Sequence, residues 1–297
     1  MLYHIPHRTH PYPVYDHSDK EMLMSRPPYI TITNVCNLHC GGCSQLCGHF
    51  EKEQLWFMTV DEIRAAIEVM GKYVGKTIWI FGGEPTIHPQ FEEIKDLLYS
   101  YNGRYSFIIF TNGRLHPNHP TEIDDDHPDR QGGWVPDKLN VKYLIDFKQR
   151  YGKDGVLDKD FNPTLVAPMD VLKVKSKKYY WEEARRHCIC WNKCGTTIYN
   201  NRAYICEVAG AFDAITGEDN GWPLVAGDNP FDKTDEEIAE QAEKFCYRCA
   251  AGYSNDKHII PDQKISQKSF VSITNLVTKK TDKMQVVKSI KDVVSNG

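Results

Sequence analysis

Two rhythms of apolar and polar positions take turns along the first third of the chain. Tyr29 to Val35 (YITITNV) alternates β-branched and polar residues, which predicts a strand. Cys36 to Phe50 has no such period and reads as a loop. From Thr59 the spacing becomes helical. Ile63, Ile67, Met70 and Val74 share one face, and Thr59 with Glu62 forms a capping-box pair. Lys76 to Phe81 (KTIWIF) predicts a short buried strand, followed by a loop from Gly82 to His88. Pro89 opens a second helix with Phe91, Ile94, Leu97 and Leu98 as its stripe. Tyr105 to Phe110 (YSFIIF) is a third strand, ending in Thr111-Asn112-Gly113. Strands alternating with helices predict parallel pairing through crossover helices, an α/β fold.

The rhythm then breaks. Residues 116–163 are rich in Pro, Asp and Gly and predict a long loop, then a helix near Lys138 to Gln149. Asn162 to Leu172 (NPTLVAPMDVL) predicts a further strand. From about Tyr180 the texture turns to Cys- and turn-rich sequence. The expected division is an irregular arm over 1–28, an α/β domain over 29–180, a second domain over 181–266 and a tail over 267–297. In the second domain, CGTTIYNNRAYIC (Cys194 to Cys206) reads as a β-hairpin, with Asn200-Asn201 suited to a type I′ turn. Thr234 and Glu237 form another capping box, opening a helix that leads to Cys246.

Composition narrows the class. The 297 residues are 41% hydrophobic and 26% charged, ordinary for a folded soluble protein. No run of about 18 apolar residues is present, so no membrane partner is expected. Met1 to Asp16 lacks the apolar core of a signal peptide, so a cytoplasmic location is expected. A net charge of −4 does not favour nucleic acid as a partner.

Ten cysteines are the unusual number. Without an export signal, clustered thiols point to metal rather than to disulfides. Cys36, Cys40, Cys43 and Cys47 lie near the start; Cys188, Cys190, Cys194, Cys206, Cys246 and Cys249 lie in the last third. The first group contains C-x3-C-x2-C directly after a strand. Three thiolates on one tight loop can hold three corners of a [4Fe–4S] cube and leave one iron open, whereas ferredoxin-type cubes use four. The competing reading is structural zinc, with Cys47 or His49 completing the set. Gly82-Gly83-Glu84-Pro85 follows the second strand and Asn112 the third. All three motifs therefore sit at the C-terminal ends of consecutive parallel strands, where α/β folds bind ligands.

On Cys36, Cys40, Cys43 and the GGEP motif of Gly82 to Pro85, roughly residues 28–175 resemble the radical S-adenosylmethionine (radical SAM) superfamily. The resemblance implies a partial (β/α)6 barrel and a [4Fe–4S] cluster on Cys36, Cys40 and Cys43 as the catalytic centre. It also implies S-adenosylmethionine chelated at the open iron. Gly82, Gly83, Glu84 and Pro85 would bind the methionine ammonium, and Asn112 the ribose or methionine end. The residue before the third cysteine is usually aromatic and contacts the adenine; here it is Gly42, so the adenine platform must come from elsewhere.

The C-terminal third is similar to the twitch domain, the shortened form of the SPASM extension of this superfamily. Its hairpin and helix would bring four thiolates together. By that likeness Cys194, Cys206, Cys246 and Cys249 hold one auxiliary [4Fe–4S] cluster, with Cys188 and Cys190 surplus or able to replace Cys194. A zinc-ribbon-like site is the alternative. The architecture is similar to that of 2-deoxy-scyllo-inosamine dehydrogenase.

The resemblance implies an oxidoreductase that generates a 5′-deoxyadenosyl radical and abstracts hydrogen from a polar small molecule, a sugar, cyclitol or nucleotide. The auxiliary cluster would oxidise the substrate radical, and a low-potential donor such as flavodoxin or ferredoxin would supply electrons. The alternatives are a radical epimerase or isomerase with Cys47 as hydrogen donor, a peptide-modifying maturase, and more remotely a non-catalytic zinc-binding interaction module. Asp124 to His127, and Arg185, Arg186 and His187, read as a solvated turn and a solvated helix end.

Overall fold

A computed structural model describes residues 18–26, 28–37, 43, 45–47, 50–71, 77–113, 133–145, 181, 188, 191, 195–225, 228–246 and 249. Among them, β1 (Tyr29–Thr31), β2 (Thr77–Phe81) and β3 (Ser106–Thr111) pair in parallel, with α2 (Val60–Gly71) and α3 (Phe91–Ser100) as the crossovers. Here the α/β expectation holds, and the architecture is that of a partial α/β barrel. Ile63, Ile67 and Met70 of α2 and Ile94 and Leu98 of α3 are fully buried against Ile30, Ile78, Ile80, Phe107 and Ile109. The capping box at Thr59 forms as read, with Glu62 N–H donating to Thr59 Oγ1 at 3.2 Å and Thr59 N–H to Glu62 Oε2 at 2.7 Å.

The eight-stranded sheet runs β4-β5-β3-β2-β1-β6-β7-β8. Two strands lie in the stretch that broke the rhythm: β4 (Gly133–Pro136), antiparallel at the edge, and β5 (Val141–Ile145), parallel to β3. The helix expected near Lys138 to Gln149 is thus corrected to a strand over its first half. Val141 and Tyr143 are buried while Lys142 is exposed, a period of two that the free edge of β3 selects. The edge strand tolerates Pro136 because an edge need not donate on both sides.

Asn200 and Asn201 have φ of 46° and 60°, the pair of left-handed residues that a type I′ turn requires. They join β6 (Thr197–Tyr199) to β7 (Arg202–Tyr204). This hairpin, expected in a second domain, lies in the same sheet as β1: Tyr29, Ile30 and Thr31 pair in parallel with Thr197, Ile198 and Tyr199. After it come α4 (Glu207–Thr216), β8 (Trp222–Pro223) and α5 (Asp235–Phe245). The box at Thr234 caps α5 as read.

Two further corrections concern short helices. The arm is not irregular throughout: Asp19–Ser25 form α1, started by a Ser18–Glu21 capping box that the sequence displays. It docks on the start of α5, where Lys20 N–H donates to Asp235 Oδ1 at 2.9 Å. Pro89 does not open α3; a 3-10 turn at Pro85–Ile87 comes first and Gln90 is the N-cap. The strand expected within Asn162 to Leu172 and the 267–297 tail lie outside the described residues, as do Val74, His39, Gly42, His49, Asp124 to His127 and Arg185 to His187. Among the described residues no helix is long and apolar enough to cross a membrane.

Candidate functional site

Because β1, β2 and β3 are adjacent and parallel, their C-terminal ends open on one edge of the sheet. The loop after β1 is fixed first. Thr33 Oγ1 donates to Trp56 O at 2.7 Å and accepts Val35 N–H at 2.9 Å; Asn34 pairs with the backbone of Gln54 and Trp56. The loop after β2 then locks onto it, with Gly83 N–H to Thr33 O at 2.8 Å and Glu84 N–H to Val35 O at 2.9 Å. A Cβ on Gly83 would stand 2.1 Å from Val35 O. Gly83 is thus required by the backbone leading into Cys36.

Glu84 is fully buried, caps the 3-10 turn and is flanked by buried Pro85. Its Oε1 accepts from Thr86 N–H at 3.1 Å, Thr86 Oγ1 at 2.6 Å and Thr111 Oγ1 at 2.7 Å; its Oε2 accepts Asn112 N–H at 2.7 Å. Burial pushes the carboxyl above its usual value, and the four donors pull it back. A buried carboxylate needs such donors, and a cationic ligand would complete its neutralisation. Asn112 also donates through Nδ2 to buried Asn37 Oδ1 at 2.8 Å and approaches Cys36 Sγ at 3.9 Å. The ends of β2 and β3 and the cysteine loop are therefore one connected network.

Cys36 and Cys43 are half-buried, and Cys40 lies outside the described residues. Cys47, buried, has its thiol against both Cys36 and Cys43; hydrogen bonding to those two sulfurs, then burial, pushes it up. In the C-terminal half, α5 is pinned under the hairpin. Gln241 Oε1 accepts Ile205 N–H at 2.8 Å, and Phe245 packs on Tyr204 and Phe212. Cys206 is the N-cap of α4, and Cys246 the C-cap of α5, with Cys249 N–H turning back to Cys246 O at 3.1 Å. Burial pushes Cys206 and Cys246 well up; the charges of Glu207, Cys249 and Cys188 add to this at Cys206, and those of Cys206, Cys188 and Cys249 at Cys246. Cys188 lies within electrostatic reach of Cys206 and Cys246; Cys190 and Cys194 lie outside the described residues. Among the described residues no three His, Cys, Asp or Glu side chains stand close enough to hold a metal ion as they are.

Arg26 was not singled out by the sequence. It is buried, stacks on Trp191 at 4.4 Å and donates to Trp191 O and Ile205 O at 3.1 and 3.0 Å. It thereby ties the segment of Cys188 to that of Cys206, and its charge reaches Cys246. Nothing in its local sequence signals this, because both partners are more than 160 residues away.

Residues 30–130 match the family model of the Radical SAM superfamily. The GTP 3',8-cyclase of Actinobacillus succinogenes (strain ATCC 55618 / DSM 22257 / CCUG 43843 / 130Z) is 34% identical over 84 residues, 28% of this chain and 25% of that protein. The GTP 3',8-cyclase of Alkaliphilus oremlandii (strain OhILAs) is 28% identical over 109 residues, 36% of this chain and 34% of that protein. The chain thus spans only a quarter to a third of the length of the curated relatives it matches. That family model implies a [4Fe–4S] cluster and S-adenosylmethionine, and the half-buried thiols of Cys36 and Cys43 and the buried carboxylate of Glu84 fit that pair of groups.

Proposed function

We propose that this protein is a radical SAM enzyme that cleaves S-adenosylmethionine reductively and uses the 5′-deoxyadenosyl radical to take hydrogen from a polar small molecule. The observation that carries this reading is the buried Glu84 carboxylate, held by four donors and linked through Asn112 to Cys36. When bound on Cys36, Cys40 and Cys43, the cluster supplies the single electron that splits the sulfonium into methionine and the radical. Glu84 accepts the methionine ammonium. Gly82 and Gly83 let the chain approach without side chains, and Asn112 orients the ribose or methionine end. Flavodoxin or ferredoxin fits as the electron donor. Among sugars, cyclitols and nucleotides, a nucleotide gains support from relatives named for action on GTP.

For an auxiliary [4Fe–4S] cluster the set read from the sequence is Cys194, Cys206, Cys246 and Cys249, with Cys188 able to replace Cys194; the charge of Cys188 felt at Cys206 and Cys246 supports that replacement. Those residues would hold the cluster beside the hairpin, and when bound it would supply an electron acceptor suited to a two-electron oxidation of the substrate. Cys47 as a hydrogen donor for an epimerase fits less well, since its thiol packs on the sulfurs of Cys36 and Cys43.

The test is anaerobic reconstitution with iron and sulfide, then dithionite and S-adenosylmethionine, reading 5′-deoxyadenosine by mass spectrometry. The product is expected from the wild type and lost when Cys36, Cys40 and Cys43 become Ala together. Cleavage that survives in the triple variant would sink the reading.

A further inference from the structure

Tyr199 ends β6 in register with Thr31 of β1, on the sheet edge from which the Cys36 loop departs. Its side chain is 1% exposed. The ring is held on two sides. Trp56 meets it edge-on at 5.1 Å, and α4 crosses it so closely that a Cβ on Gly210 would stand 2.7 Å from Tyr199 Cβ. The hydroxyl is buried and, among the described residues, has no hydrogen-bond partner; it lies within electrostatic reach of Cys47 and Cys43. Gln45, between those two cysteines in the chain, is 2% exposed, and among the described residues both polar atoms of its amide are also without partners. Leaving a buried polar group unmet costs about 1–3 kcal/mol, so the Tyr199 O–H and the Gln45 N–H call for an acceptor beyond those the described residues offer.

We propose that the Tyr199 hydroxyl and the Gln45 amide donate hydrogen bonds to sulfur atoms of the iron–sulfur cluster carried on Cys36, Cys40 and Cys43, and that they raise its reduction potential. The inference rests on the radical SAM reading. A cluster with its inorganic sulfides and thiolates is rich in acceptors, which suits the Tyr199 O–H and the Gln45 N–H as donors. Reduction adds one electron from the donor and no proton, so the sulfurs become more negative. A donated hydrogen bond then stabilises the reduced form more than the oxidised one. Tyr199 and Gln45 are positioning residues: they act on the cluster and need not touch the substrate. The hairpin that carries Tyr199 is the strand pair added beside β1, so the C-terminal half of the chain contributes to the SAM-binding centre.

The experiment uses the reconstituted full chain. The electron paramagnetic resonance signal that changes on adding S-adenosylmethionine identifies the first cluster, and a dithionite titration gives its midpoint potential. Tyr199→Phe keeps the ring and removes only the hydroxyl; Gln45→Leu removes the amide. Both variants are expected to retain iron, to show a lower midpoint potential and to cleave S-adenosylmethionine more slowly at a fixed reductant level. In the unmodified chain in deuterated buffer, exchangeable deuterons coupled to that signal are expected. Unshifted potentials in both variants at full iron content would overturn the proposal. So would missing deuteron coupling in the unmodified chain, which decides the matter should Tyr199→Phe lose its iron. A wild type with no SAM-responsive cluster would instead overturn the radical SAM reading itself.

Discussion

The backbone N–H of Asn112 donates to Oε2 of Glu84 at 2.7 Å, so the residue after β3 clamps the carboxylate that follows β2. Thr111 holds the other oxygen, also at 2.7 Å. Two adjacent strand ends thus fix one buried charge before any ligand arrives. Such preorganisation lets a cation gain the full interaction without ordering the side chain first.

Glu84→Ala should therefore weaken S-adenosylmethionine binding about 10- to 100-fold, since a hydrogen bond to a charged group is worth about 1.5–3 kcal/mol. Equilibrium dialysis on the reconstituted protein measures it, and unchanged affinity would remove Glu84 from the site.

Gly83→Ala should damage the fold as well as the site. The added Cβ meets the Val35 carbonyl, backbone that cannot swing away. Thermal unfolding should show a loss of about 2 kcal/mol or more, with iron binding at the first site reduced. An Ala variant as stable as the wild type would show that the two loops can separate freely.

Iron content separates the two ligand sets for the auxiliary cluster. With two four-iron cubes the wild type should carry about eight irons per chain, and one of Cys194→Ala and Cys188→Ala should fall to about four while the other keeps about eight. The variant that loses iron names the fourth ligand, and about eight irons in both would remove the pair from the set. Zinc in the second site would show directly in the same elemental analysis.

Coupling of that cluster to turnover gives a further expectation. Replacing Cys246 and Cys249 by Ala should leave 5′-deoxyadenosine formation measurable while oxidised product disappears. Circular dichroism must first show the hairpin and α5 intact, because a bound cluster also stabilises the fold. The same product at the same rate would make the second site structural.

The capping box of α5 predicts a pH dependence. The backbone N–H of Thr234 is the largest influence holding Glu237 below its usual 4.5. A lowered folded-state value means the stabilisation is present above about pH 4.5 and fades as pH falls through that lower value. Glu237→Gln should thus melt below the wild type near pH 7, and the two curves should approach each other as the pH is taken below that lowered value. A gap that does not shrink in acid would assign the effect to packing.

Local sequence decided whatever depends on neighbours along the chain. The boxes at Thr59 and Thr234, the helical stripes of α2 and α3, and the paired asparagines of the hairpin turn all form as read, because each is a contact across two to four residues or a backbone preference of the residue itself. The close approach at Gly83 leaves its mark on the sequence for the same reason, since a backbone contact with the Val35 carbonyl admits only glycine there. Pairing partners were not legible. VKYLI could serve as helix or strand until the free edge of β3 offered it a ladder, and no local feature of Thr197–Tyr199 shows that it pairs with β1, more than 160 residues earlier. Arg26, Cys188 and Tyr199 acquire their roles only through such distant pairings. Burial then matters as much as proximity: an arginine and a phenol with ordinary local sequence become functional candidates because the folded chain removes water from them and leaves specific groups in its place.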